Sequence, residues 1–246
     1  MAGRRRGVVA GALVCTILVI ALVIGIPYLT RPSSRPQARA VYGTTSSPRS
    51  STTTSLPPTT TSSSTSTTDP GTLPQTNQFP AANTPQFTGE MQALWNGVMQ
   101  GSVQPALPAF FPRSAYVQLK TGIYDPAGDW TNRLVADYAL DIQAAHALIA
   151  SDPSAASLVS VSVPEQYGHW IDAGICANGI GYYEVANSRL EYQFQGQTRS
   201  FGIASMISWR GEWYVVHLGA ILRPGSGGVV EDPQVGPGYS APSSTC

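Results

Sequence analysis

The stretch RLEYQFQGQTRSFGIASMISWRGEWYVVHLGAIL, residues 189–222, decides the fold. Aromatic and β-branched residues alternate there with small or polar ones, between two glycine-centred breaks at Gln195-Gly196-Gln197 and Arg210-Gly211-Glu212. That pattern predicts three consecutive antiparallel strands joined by tight turns. A two-residue Arg-Gly turn would force Arg210 to positive φ, so a three-residue loop with Gly211 in the left-handed region is expected instead. In that register Phe201, Ile203, Ser205, Ile207 and Trp209 share a face with Trp213, Val215, His217, Gly219 and Ile221. The face is apolar except for Ser205 and His217. It is therefore the expected site of a pocket, walled by Phe201, Ile207, Trp209 and Trp213.

Upstream of this stretch the chain supplies helices to cover the sheet. Met91, Leu94, Trp95, Val98 and Met99 have the spacing of one helical face, closed near Gly101. A short helix or turn broken by Pro105 and Pro108 follows, and residues 115–120, which include Tyr116, alternate loosely as a candidate strand. Asp129 is the expected N-cap of a helix from Trp130 to about Ala150. Asp137 and Asp141 lie one turn apart on it, with no basic residue spaced to pair with them, which reads as a solvated face or, alternatively, as the lining of a groove. Then come a strand over 158–163, an extended run over 170–185 interrupted by Asn178-Gly179, and a turn at Ala186-Asn187-Ser188. The fold class is α+β, with N-terminal helices packed on a curved antiparallel sheet.

The domain occupies 87–224. Residues 1–6 hold Arg4-Arg5-Arg6 and read as a cytoplasmic basic tail. Residues 7–29 contain no charge and, at about 1.5 Å per residue, are long enough to cross a hydrocarbon core of about 30 Å as a transmembrane helix. No small-residue cleavage site follows closely, so an uncleaved anchor in contact with the lipid bilayer is expected. Arg31, Arg35 and Arg39 nearly balance the leading arginines, so the linker settles orientation. Residues 30–86 are Ser/Thr/Pro-rich and too polar to bury a core, like the stalks of exported proteins. As a coil they reach roughly 40 Å. The expectation is a single-pass plasma-membrane protein with its N-terminus cytoplasmic and its domain outside, near envelope or cell-wall partners. Residues 225–246, rich in Gly, Pro and Ser, read as a disordered tail.

Net charge is zero, but the domain carries eleven Asp/Glu against seven Lys/Arg. With no basic stripe, nucleic acid is not an expected partner. Of three cysteines, Cys15 falls in the apolar run, leaving Cys176 and Cys246 as a possible disulfide outside the cell, or as two free thiols. Metal-ligand, nucleotide-binding and nucleophile-elbow motifs are missing, so no metal or cofactor is expected. His146 sits beside an apolar helix position, and the His169/Asp172 spacing in an extended run points the two side chains to opposite faces. His217 is the remaining catalytic candidate. It reads either as a general base, with Ser205 and Tyr116 nearby, or as a structural histidine satisfied by one of those hydroxyls.

The element order, ending in the hairpin Trp209-Arg210-Gly211-Glu212-Trp213, resembles the cone-shaped nuclear transport factor 2-like fold over about residues 91–222; a cystatin-like sheet with a packed helix is the alternative. The resemblance implies two kinds of function. Some members of that fold are enzymes similar to ketosteroid isomerase or scytalone dehydratase. Others are non-catalytic, among them scaffold subunits of conjugation machines and actinobacterial Mce-associated membrane proteins, whose layout is similar to this one. Members often dimerise through the sheet. The reading that follows is a tethered interaction or scaffold module without catalysis. The alternative is a small-molecule isomerase, dehydratase or carrier using the cone interior.

Overall fold

Thr84 starts the first helix. Its side chain accepts from the Phe87 amide at 3.0 Å, and Pro85 occupies the first turn, where a missing N–H costs nothing. Helix α1 (Pro85–Gln100) ends where Gly101 turns left-handed at φ 60°. The computed structural model describes residues 69–72, 74–223 and 225–240. The expected anchor at 7–29 and the linker as far as 68 lie outside them. No helix of the described residues is long and apolar enough to cross a membrane.

After α1 come a 3-10 helix (Gln104–Ala109) and α2 (Arg113–Leu119). Then α3 (Pro126–Asp129) runs through a π-helical turn (Trp130–Leu134) into α4 (Val135–Ala147). The strands are β1 (Ala156–Ser162), β2 (His169–Ile171), β3 (Tyr182–Phe194), β4 (Gln197–Trp209), β5 (Glu212–His217) and β6 (Glu231–Val235). They form one six-stranded antiparallel sheet. β3 and β4 are its centre, with β1 and β2 along the free side of β3 and β5 and β6 along the free side of β4. The domain is therefore α+β, as its sequence pattern predicts.

Several local expectations are corrected. Residues 115–119 form helix, not strand, with Lys120 as its C-cap: Ala115, Tyr116 and Leu119 are buried at helical spacing, and so short an apolar run fits either period. Ala186-Asn187-Ser188 is no turn between strands. β3 runs straight through it, with Asn187 at φ 56° breaking the regular pleat between the segments that pair with β2 and β1. The Arg210-Gly211 connection is a two-residue turn with both residues at positive φ (54° and 84°), so Trp209 pairs with Glu212. Its hand matches the strand twist, and Gln75 Oε1 accepts from the Arg210 amide, which offsets the strain at Arg210.

This register puts Trp213 opposite Ser208, on the other face of the sheet from Trp209. Trp209 meets Phe111 edge-on at 5.8 Å, whereas Trp213 meets Phe79 at 5.6 Å. Phe79 belongs to the stretch expected to be linker. Residues 74–86 instead lie against the domain, with Phe79 also edge-on to Tyr183 and the Gln75 side-chain amide donating to the Ser208 carbonyl.

The C-terminal segment is likewise more ordered than its composition predicts. β6 pairs with the half of β4 that β5 does not reach. The buried Arg189 guanidinium gives this strand a reason to dock: it binds Asp232 Oδ2 at 3.1 Å and Ser200 Oγ at 2.6 Å. Asp141 is not on a solvated face. It is buried and accepts from Arg223 Nη2 (2.6 Å), the Gly219 amide (3.0 Å) and the Val229 amide (2.9 Å). Arg223 also reaches Asp137 at 3.3 Å. A basic partner far along the chain is invisible to helical spacing. Cys176 is disulfide-bonded, and the other cysteines, Cys15 and Cys246, lie outside the described residues.

Asp141→Ala strands a mostly buried Arg223 and two backbone amides, so it should cost about 3–5 kcal/mol in chemical denaturation. Asp137→Ala, on the more exposed carboxylate, should cost about 1 kcal/mol or less.

Candidate ligand-binding site

Between α2 and the sheet lies a cavity of about 160 Å³. Phe111, Leu119, Ile207, Val216 and Ile221 form its apolar wall, and Tyr116, Lys120, Tyr182, Glu184, Ser205 and His217 bring polar atoms to it. Pairing geometry explains the convergence. Glu184 pairs with Ile207 across β3 and β4, so Ser205 is its diagonal neighbour. A bulge between Ser205 and Met206 then sets Ser205 directly opposite His217 on β5. The two-residue turn moves the register at Trp209 by one place, and the bulge brings it back at Ser205.

The hydrogen bonds are not those expected for His217. Ser205 Oγ donates to Glu184 Oε1 at 3.0 Å. The Tyr116 hydroxyl binds the Asp129 carboxylate and accepts from Arg133 Nη2 at 3.0 Å. Asp129 in turn holds Arg133 at 2.6 and 2.7 Å. Tyr182 Oη accepts from Asn178 Nδ2 at 2.7 Å, and Lys120 Nζ donates to the Cys176 carbonyl at 3.2 Å. His217 has no hydrogen-bond partner among the described residues. Glu184 is only 4 % exposed, and its Oε2 is buried without a hydrogen bond. The nearest charged-type neighbour of Oε2 is His169 Nε2 at 3.9 Å, too far for a hydrogen bond.

Burial dominates the electrostatics of this cavity. Burial, then the nearby Arg133, Arg223 and Lys120 charges, push the His217 imidazole down to about 4. Burial first and Arg133 second pull Lys120 below the usual lysine range. Burial and then the bond to Asp129 raise the Tyr116 phenol, while burial and the Glu184 charge raise Tyr182 to about 12. Hydrogen bonding to Arg133 is the main cause holding Asp129 below the ordinary carboxylate range.

Of the residues singled out from sequence, Tyr116, Ser205, Ile207 and His217 meet at this cavity. Phe201, Trp209 and Trp213 do not line it; all three are fully buried packing residues. His146 is structural: its Nδ1 lies 2.8 Å from the Val98 carbonyl, tying α4 to α1. Glu184, Lys120, Tyr182, Asp129 and Arg133 were not anticipated. Two signals were available: Glu184 interrupts an apolar strand, and Lys120 is the single lysine of the chain.

Comparison with protein families, curated proteins and solved structures returned no match. The cavity therefore carries the functional argument by its own chemistry. Among the described residues no three His, Cys, Asp or Glu side chains converge as metal ligands. What the site offers is a small, mostly apolar chamber lined by several polar side chains, among them an imidazole that is uncharged at neutral pH.

His217 should titrate near pH 4 by histidine NMR. The unfolded chain takes up that proton near 6.5 and the folded chain does not, so its contribution to stability is lost as pH falls from 6.5 through 4. A midpoint above 6 would overturn this electrostatic account.

Proposed function

We propose that this chain is a single-pass membrane protein that displays an α+β domain, nuclear transport factor 2-like in element order, outside the cytoplasm. The domain holds a small molecule rather than transforming it. The charge-free run at 7–29 and the Ser/Thr/Pro-rich stretch after it support the tether. The disulfide at Cys176 fits an oxidising compartment. The linker length suits a module that meets its ligand and its envelope partners away from the bilayer surface.

The observation that carries the binding reading is the pairing pattern around the cavity. A general base needs a partner that orients it and a pKa near working pH. His217 has neither, Tyr116 is committed to Asp129 and Arg133, and Ser205 is committed to Glu184. The chamber is close in size to an apolar cavity of about 150 Å³ that binds benzene, which sets the scale of the ligand.

Ile207→Trp fills the chamber at a strain cost of about 1–3 kcal/mol. Full-length protein purified from membranes should release a molecule near benzene in size on denaturation. The Ile207→Trp protein, still folded by circular dichroism, should release none. The released molecule should be unchanged in mass after standing with the protein. Identical release from both proteins, or conversion of the molecule, would overturn the reading. Protease added to spheroplasts should digest the domain; protection would place it inside.

A further inference from the structure

We propose that Cys246 is the disulfide partner of Cys176, tying the C-terminal end of the chain to the loop that holds one rim of the cavity, and that reducing this bond loosens the cavity. The choice of Cys246 rests on the membrane reading above, and the effect on the cavity adds a control to the site that reading describes.

Cys176 is disulfide-bonded, and the chain has two other cysteines, Cys15 and Cys246. Cys15 lies fourteen residues before the end of the charge-free run at 7–29, about 21 Å deep in a helical span. Its thiol is then surrounded by hydrocarbon, out of reach of a loop outside the membrane. Cys246 is placed better. The chain returns to the domain through β6, through the Gly236 amide donating to the Thr198 carbonyl at 2.8 Å, and at Gly238, where a Cβ would collide with the Arg189 guanidinium. From Gly238 the eight residues to Cys246 reach at most about 28 Å, most of the width of a domain this size.

The loop around Cys176 is tight and strained. The Gly174 amide donates to the Asn178 carbonyl at 2.6 Å, and the Asn178 amide to the Ile175 carbonyl at 3.0 Å. Cys176 and Ala177 both sit at positive φ (53° and 60°), which non-glycine residues keep only where their surroundings over-determine it. A cross-link at Cys176 is such a constraint. Three residues that line the cavity are bonded to this loop. Lys120 Nζ donates to the Cys176 carbonyl at 3.2 Å, the Gly179 amide donates to the Leu119 carbonyl at 2.8 Å, and Asn178 Nδ2 donates to Tyr182 Oη at 2.7 Å. The Gly122 amide joins them through the Ala177 carbonyl at 3.2 Å. Once the cross-link is cut, the left-handed pair relaxes, and the bonds to the cavity wall weaken with it.

Forming the bond takes two electrons and two protons from the two thiols. The disulfide of an exported thiol–disulfide carrier accepts them and becomes a dithiol, and a dithiol reductant runs the exchange backwards.

The test starts from full-length protein taken from membranes, alkylated in denaturant without reduction and mapped by mass spectrometry. The expected cross-linked peptides contain Cys176 and Cys246, with Cys15 recovered alkylated. In nanodiscs, Cys246→Ser and dithiothreitol should each lower Tm by about 5–15 °C. Each should also speed hydrogen exchange at the Gly122 and Gly179 amides, and weaken benzene binding read on the His217 ring signals, by about tenfold or more. Cys15→Ser should change none of these. A Cys15–Cys176 pair would overturn the proposal and the membrane anchor with it, whereas a cross-link between two chains would overturn the pairing alone. A lower Tm with unchanged exchange at Gly122 and Gly179 would sink the clamp on the cavity. Faster exchange there, with benzene never moving the His217 signals, would uphold the clamp and end the ligand-binding reading.

Discussion

The pairing of β3 with β4 is the constraint on which the rest of the domain depends. Each strand is thirteen residues long, and they are joined by the tightest link available, a Gln195-Gly196 turn with both residues at positive φ. Because side chains alternate with period two, this one register sets which residues face the helices and which face outward. It places Glu184 diagonal to Ser205 at one end and the buried Arg189 beside Ser200 at the other. A slip of one residue would remove the cavity and the β6 anchor together.

Buried charges then recruit chain segments that hydrophobicity would leave loose. Neither Asp141 nor Arg189 can stay buried without partners, since desolvating a charge costs several kcal/mol unless its hydrogen bonds are replaced. Asp141 finds them in Arg223 and the amides of Gly219 and Val229, and Arg189 finds them in Asp232 and Ser200. The outcome is that a Gly- and Pro-rich segment becomes part of the sheet. At the opposite end, Gln75 and Phe79 cover the outer face through a hydrogen bond to the Ser208 carbonyl and ring contacts with Tyr183 and Trp213. Little apolar surface is needed for either docking, so composition gave no warning of them.

The cavity follows the same logic with one difference: its polar groups are not all satisfied. Structural polar clusters close on themselves, as Tyr116, Asp129 and Arg133 do. Glu184 Oε2 is left without a hydrogen bond, and His217 lines the chamber from the far side of β4.

The sequence by itself determined the α+β class, the amphipathic α1, the three consecutive strands of residues 189–222 and the choice of Ser205 and His217 as the polar pair on an apolar face. Each of these rests on local periodicity, which the backbone geometry of helix and strand imposes directly. Tertiary structure decided the rest. The Arg210 turn is set by its contact with Gln75, Trp213 is sent to the outer face by the register that turn creates, and residues 115–119 are helical because they pack as one. Glu184 and Arg223 matter only through partners met far along the chain. Spacing in one dimension reports which side of an element a residue lies on; which other element comes to meet that side is settled only when the charges, bulges and turns of the whole domain are satisfied at once.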